Sequence, residues 1–388
     1  MKRLLLALCS VILLGLVYLG LFGAQQIEAR INTVASEPPY PASPRAERLH
    51  ASALVADLHA DTLLWSRDLL QRAERGHVDV PRLIEGNVAL QVFAAATKAP
   101  WGLNPRRNSG DSDMFTLLAI TQRWPVRTWS SLTERALYQA HKLRRAAADS
   151  GGKLVLIRSA RELERYLEAR QTTPGSVGAV LAIEGLHALE GDLAALDTLF
   201  DAGFRMMGLT HFFDNEIGGS AHGVEKGAAT EFGRRVMRRM EELGIALDLA
   251  HASPALIEEV LALTTRPVLV SHTGVQATCP GPRNLSDAQV RGIAETGGVI
   301  GIGFFEWAVC EIEPASIVRA IRHVADLVGV DHVGLGSDFD GGTHTPFDVT
   351  GLAQITDALL ADGFSEHEVR KILGGNEIRV LGRLLPPQ

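Results

Sequence analysis

Short aliphatic runs recur along the chain, separated by stretches in which apolar residues return every three or four positions. The runs predict strands over Leu54–His59, Val88–Ala94, Gly178–Ile183, Arg205–Thr210, Ala246–Ala250, Pro267–Ser271, Gly298–Phe304 and His332–Ser337. The stretches between them predict helices over Leu132–Ala148, Asp192–Ala202, Glu231–Leu243, Pro254–Thr264, Ser286–Thr296, Pro314–Val328 and Leu352–Asp362. Near-continuous apolar strands alternating with helices indicate a parallel sheet covered by helices. Eight such units predict an α/β chain closed into a (β/α)8 barrel of the TIM type. A doubly wound open sheet would usually bring a glycine-rich phosphate loop after an early strand, and none is evident. Residues 100–113, rich in Gly, Asn, Arg and Ser, predict a long loop over the barrel mouth. The stretch Gly374–Arg379, after a final helix over Glu366–Leu373, predicts structural closure.

The N-terminus breaks this pattern. Lys2 and Arg3 precede an uncharged apolar run from Leu4 to Gly23, long enough to cross a bilayer with its N-terminus in the cytoplasm. Phe22-Gly23-Ala24 is a poor cleavage site, which favours an uncleaved signal anchor over a signal peptide. Residues 1–24 are therefore expected to be the anchor or signal segment, 25–47 a linker, and 48–388 an exported folded domain. Hydrophobic residues make up 46% of the chain, enough for one large core, and a net charge of −7 leaves no footprint for nucleic acid. Cys279 and Cys310 remain in the exported body; their spacing fits a disulfide or two buried thiols equally well.

Polar chemistry gathers where the predicted strands end. Alternation along the first strand puts His59 and Asp61 on one face. Further strands finish in Glu184, His211, His251, His272, and Asp338 with Asp340. Histidine is not a favoured helix cap, so four of them in such positions are poorly explained as caps. The C-terminal ends of barrel strands are where a barrel keeps its active site. If Glu184 bridges two ions, His59 and Asp61 complete one and His251 and His272 the other. Each ion then has three protein ligands and a fourth position for a shared hydroxide. Two such ions, about 3.5–4 Å apart, form the clamp of aminopeptidase-type hydrolysis. Nitrogen and oxygen donors rich in histidine favour zinc. The other histidines, among them His77, His141, His323 and His367, are expected at the surface.

Seven pieces of the chain, in order, resemble the membrane dipeptidases, zinc metallopeptidases of the renal-dipeptidase type on amidohydrolase-like barrels. They are Asp57-Leu58-His59-Ala60-Asp61, Ile183-Glu184-Gly185, Leu209-Thr210-His211, Asp248-Leu249-Ala250-His251-Ala252-Ser253, Ser271-His272, Arg283-Asn284 and Gly336-Ser337-Asp338-Phe339-Asp340-Gly341. The resemblance implies two Zn2+ ions on His59, Asp61, Glu184, His251 and His272, bridged by Glu184 and a hydroxide. It also implies substrate contacts from His211, Arg283 and Asp338, and a disulfide between Cys279 and Cys310. Ala60 departs from the Asn that many relatives carry, and 101–113 matches no part of the family pattern.

These roles are chemically sound. Arg283 could hold a terminal carboxylate bidentately, Asp338 could shuttle the proton to the leaving amine, and His211 could donate to the developing oxyanion. The expected reaction is zinc-dependent hydrolysis of dipeptides, with acceptance of C-terminal D-residues left open. The alternative is a binuclear hydrolase of lactams, lactones or N-acyl amino acids. The expected partners are dipeptides, the membrane through the N-terminal segment, and a second copy in a homodimer, as related enzymes often pair.

Overall fold

A computed structural model describes residues 23–388. The expected anchor therefore lies almost wholly outside the described residues, among which no helix is long and apolar enough to cross a membrane.

Eight parallel strands follow one another around a barrel. They are β1 (Val55–Ala60), β2 (Val88–Ala96), β3 (Val177–Glu184), β4 (Phe204–Gly208), β5 (Ala246–Asp248), β6 (Leu269–Thr273), β7 (Val299–Ile302) and β8 (Val333–Leu335). Each pairs in parallel with the next in sequence, from β1 through β8. All eight predicted strands are present, with ends moved by a few residues. β8 meets β1 through a parallel bridge between Ala60 and Phe339, with Asp61 N donating to Phe339 O over 2.9 Å. Below that bridge, Asp57 accepts from Ser337 N at 2.7 Å and Ser337 Oγ at 2.8 Å. A carboxylate thus stitches the seam where backbone pairing is thin.

The main core joins strand residues such as Ile183, Met207, Val270 and Ile300 to Leu143, Leu199, Val236 and Ile293 of the surrounding helices. A second cluster packs Leu58, Val180 and Met206 against Val380, Leu381 and Leu384 of the last helix, Asn376–Leu384. Closure at the start of β1 needs a glycine, since a Cβ on Gly374 would lie 2.3 Å from Leu54 O. Nearby, Glu377 Oε1 accepts from Leu335 N at 2.8 Å.

Two expectations are corrected. Residues 25–47 are not a linker: they carry helix α1 (Ala24–Ile31), a short strand Thr33–Val34 paired in parallel with His344–Thr345, and the first half of a helix over Pro44–Ala51. Glu28 of α1 is buried and ion-paired with Arg67 and, at 2.7 Å, Arg75, so this polar stretch is folded onto the barrel by distant charges. His77 is not at the surface either. Fully buried, it accepts from Asp340 N at 2.9 Å through Nδ1 and donates from Nε2 to Thr33 O at 3.1 Å. The 100–113 loop leads into helix α2 (Met114–Thr121), capped by the Asp113 carboxylate on Phe115 N.

Candidate metal centre

Glu184, the last residue of β3, stands at the middle of the site. Its Oε1 lies 3.0 Å from His251 Nε2, 3.3 Å from His272 Nε2 and 3.6 Å from His59 Nε2. Its Oε2 lies 3.1 Å from His211 Nε2. Around His59 Nε2, Asp61 Oδ2 is at 3.5 Å and Asp338 Oδ1 at 4.0 Å. The five expected ligands are brought together, and His211 and Asp338 come as close. Three overlapping triads have donor atoms within 4.8 Å of one another: His59–Glu184–His272, Glu184–His211–His251 and His59–Asp61–Asp338.

Backbone strain marks the same place. His251, Asp338 and Asp340 hold φ of +62°, +61° and +65°, angles that non-glycine residues keep only where their surroundings enforce them. Thr343 Oγ1 fixes Asp338 by donating to its carbonyl at 2.7 Å. Gly341 leaves room for the carboxylates, since a Cβ there would sit 2.1 Å from Asp338 Oδ1 and 3.0 Å from Asp61 Oδ2.

A layer of polar residues beneath orients the imidazoles. Ser271 Oγ donates to Asp248 Oδ2 at 2.6 Å, so it receives the His272 Nδ1 proton at 2.9 Å. That leaves His272 Nε2 as a lone pair aimed at Glu184. His211 Nδ1 faces Lys98 O at 3.3 Å, which likewise leaves Nε2 as a lone pair. Donation from His211 Nε2 therefore requires the other tautomer or the imidazolium.

The donor set fits a cation. His251 Nε2 and His272 Nε2 face each other at 3.0 Å and can share at most one proton. His59 Nε2, Asp61 Oδ1 and His251 Nδ1 are buried without hydrogen-bond partners, a costly state for polar atoms. Burial, with Asp61 alongside, raises the Glu184 pKa well above the usual carboxylate range. Burial lifts Asp338 to about 7, with Asp61 adding to it. On His59 burial opposes charge, yet Glu184, Asp61 and Asp338 together lift its pKa to about 10. His211, His251 and His272 are pushed well below the usual imidazole value, chiefly by burial. Protons thus balance charge where divalent cations would take up the lone pairs of the converging Nε2 and carboxylate atoms.

The cluster opens into a cleft of about 880 Å3, lined at its base by Asp61, Glu184, His211, His251, Arg283 and Asp338. Arg283, in the loop after β6, donates from Nη2 to His272 O and lies 5.8 Å from the Phe305 ring centroid. Burial lowers its pKa to about 10 against the pull of Asp338 and Glu184. A disulfide ties Cys279 of that loop to Cys310, which follows β7.

Sequence reasoning missed the supporting layer. Asp57 shares its strand face with His59, and Asp248 precedes His251 by three residues; that spacing was the available signal. His222 had none. Buried in a loop, it donates from Nδ1 to Pro105 O at 2.8 Å, with its ring centroid 5.1 Å from that of His251.

With this geometry in hand, the relatives fall into place. The family model for membrane dipeptidase (peptidase family M19) matches residues 43–384. Dipeptidase aclJ of Aspergillus oryzae is 34% identical over 220 residues, 54% of this chain, and the match spans only about half (52%) of that relative's length. Among solved structures, the dipeptidase AC, an M19 metallo peptidase, superposes with a TM-score of 0.71 at 27% identity, covering 86% of this chain and 99% of that one. A Rhodobacter sphaeroides metallo peptidase, solved with a phosphinate mimic of the dipeptide L-Ala-D-Ala, gives a TM-score of 0.68 at 27% identity over 86% and 99%. This chain belongs to the membrane dipeptidase family, peptidase family M19.

Proposed function

We propose that the protein hydrolyses dipeptides with two zinc ions held by His59, Asp61, Glu184, His251 and His272. The observation that carries this is the convergence of imidazole and carboxylate donors on Glu184, with buried lone pairs left unsatisfied. Bound there, the ions would supply a Lewis acid for the scissile carbonyl and an ionised water as nucleophile.

The chain's own groups divide the remaining work. Arg283 fixes the substrate's terminal carboxylate at one wall of the cleft, converting binding energy into orientation. Asp338, poised near neutrality, accepts the proton of the attacking water and returns it to the leaving amine. His211, protonated on Nε2, donates to the carbonyl oxygen as charge develops there. Acceptance of a C-terminal D-residue is supported by the L-Ala-D-Ala mimic bound by the Rhodobacter relative. Two features support a reading in which the reaction runs outside the cytoplasm: the charged start ahead of the Leu4–Gly23 run, and the Cys279–Cys310 bond.

Metal analysis of the purified chain, with a dipeptide panel that includes C-terminal D-residues, tests this. Two zinc ions per chain and turnover lost to chelator and restored by zinc are expected. Full activity after complete metal removal overturns it.

A further inference from the structure

Ten large apolar side chains stand exposed among the described residues, and six of them line this one cleft: Ile27, Ile31, Trp101, Leu117, Ile120 and Trp307. Their exposures run from 37% to 56%, a concentration that single scattered surface residues would not give. At about 880 Å3, the cleft approaches the upper end of pockets that enclose drug-sized ligands, ~300–1,000 Å3. A dipeptide of two small residues would fill only its base.

The position of the apolar wall says which end of the substrate meets it. Helices α1 and α2 pack together on Leu64 and Trp65, which follow β1, through Ala24, Leu118 and Ala119. Asn32, the C-cap of α1, accepts from Gly342 N at 2.8 Å, and a Cβ on Gly342 would lie 3.5 Å from Ile31 Cδ1. The wall is therefore fixed to the β1 and β8 side of the mouth. Arg283 stands after β6, three strands round the barrel from β1 and two from β8, in a different sector of the mouth. A carboxylate held by Arg283 directs the opposite end of a dipeptide, its N-terminal residue, towards α1 and α2.

Resting on the dipeptidase reading, we propose that Ile27 and Ile31 of α1 and Leu117 and Ile120 of α2 form the subsite for a large aliphatic side chain on the substrate's N-terminal residue. The site then selects dipeptides with a long apolar N-terminal residue over those with a small one. Each methylene fully buried there is worth about fourfold in binding, so even partial burial of a chain of several carbons is easily measured.

The test is a series Xaa-Ala on the full-length, zinc-loaded chain, with Xaa running from alanine through leucine to 2-aminooctanoate. We expect kcat/KM to rise at least tenfold along the series. The Ile31→Ser and Leu117→Ser variants, checked for zinc content and circular dichroism, should reduce that ratio to within threefold. Leu263→Ser, which removes an exposed apolar residue outside the cleft, should keep it. Cleavage with no dependence on length overturns the subsite while leaving the dipeptidase reading intact. So does a length dependence that survives both variants, one that follows the C-terminal residue instead, or one seen only with phosphatidylcholine vesicles, which would assign the wall to a bilayer. A zinc-loaded chain that cleaves no member of the series overturns both readings.

Discussion

Arg67 donates from Nη2 to the Asp340 carboxylate over 2.6 Å, and both side chains are sealed from solvent. Its Nε bonds Glu28 of α1 and its Nη1 donates to Val78 O at 2.7 Å. One guanidinium thereby ties the N-terminal helix to the loop that presents Asp338 two residues away. Burial opposes ionisation of Asp340, yet Arg67 and His77 hold its pKa below the usual carboxylate value. Arg67→Met leaves the buried Asp340 carboxylate without its cation and Glu28 with Arg75 alone, and is expected to destabilise the fold by about 3–5 kcal/mol, read by urea unfolding. Because the Asp340 pKa is depressed, its share of the stability is present above about pH 4 and is lost as pH falls through the folded pKa. A variant as stable as the wild type at pH 7 would remove the pair from the account.

Ser271 makes no contact with substrate in this account, yet it aims the His272 ring. Replacing it with alanine leaves Asp248 Oδ2 without its hydroxyl donor, while Oδ1 keeps two backbone donors, and frees the imidazole to turn. Supporting hydrogen bonds of this kind are worth roughly 10–100-fold in metal affinity. Competition against a zinc-binding dye should show a loss of that size for Ser271→Ala, with the melting profile of the zinc-saturated chain nearly unchanged.

The contrast between these residues shows what the sequence could carry. His59, Asp61, Glu184, His251 and His272 were legible because each interrupts or ends an apolar run, and eight alternating runs imply a barrel whose strand ends converge. Asp57, Asp248, Ser271 and Ser337 lie one layer deeper on the same strands, where the spacing of Asp57 and Asp248 from the ligand histidines is the only local mark and Ser271 and Ser337 carry none. The pairing of Glu28 and Asp340 with Arg67 was illegible for a different reason, although Asp340 itself stood out at a strand end. Their pairing joins positions 28, 67 and 340, so α1 looked like linker by composition alone. Helix α2 is apolar around most of its circumference and shows no helical period.

Arg283→Lys keeps the charge and loses the planar pair of donors. A point ammonium cannot match a carboxylate bidentately, so the substitution is not conservative at this position. For dipeptides KM should rise at least tenfold while zinc content stays at the wild-type level. An equal loss of zinc would mean that Arg283 supports the metal site through His272 O rather than the substrate.

His211 is the residue whose role the geometry divides most finely. As an oxyanion donor its removal should cost roughly 10²–10³ in kcat and leave bound zinc unchanged. As a further ligand, with Nδ1 committed to Lys98 O and Nε2 facing Glu184, its removal should cost zinc as well. Metal analysis of His211→Asn alongside its kcat separates the two. Retained zinc with depressed turnover is the expected result.

Metal entry must displace protons, and the direction of the shifts fixes how affinity for the proposed zinc varies with pH. In the metal-free cluster the His59 pKa is raised to about 10, where burial is outweighed by Glu184, Asp61 and Asp338. Glu184 is raised well above its ordinary value, chiefly by burial. At pH 7.5 the metal-free site therefore carries protons that the loaded site cannot keep, because an imidazole or carboxylate ligand binds in its deprotonated form. Zinc affinity should climb as pH rises from 6 towards about 10 and level off once His59 has lost its proton unaided. Calorimetric titration at pH 7.5 in buffers of different ionisation enthalpy should report at least one proton released per chain. Asp61→Asn removes one of the charges that hold the His59 proton, so the proton count should fall and the affinity profile should flatten at a lower pH. A release of zero in the wild-type chain would show that the cluster holds no such proton and that the donors meet the metal already bare.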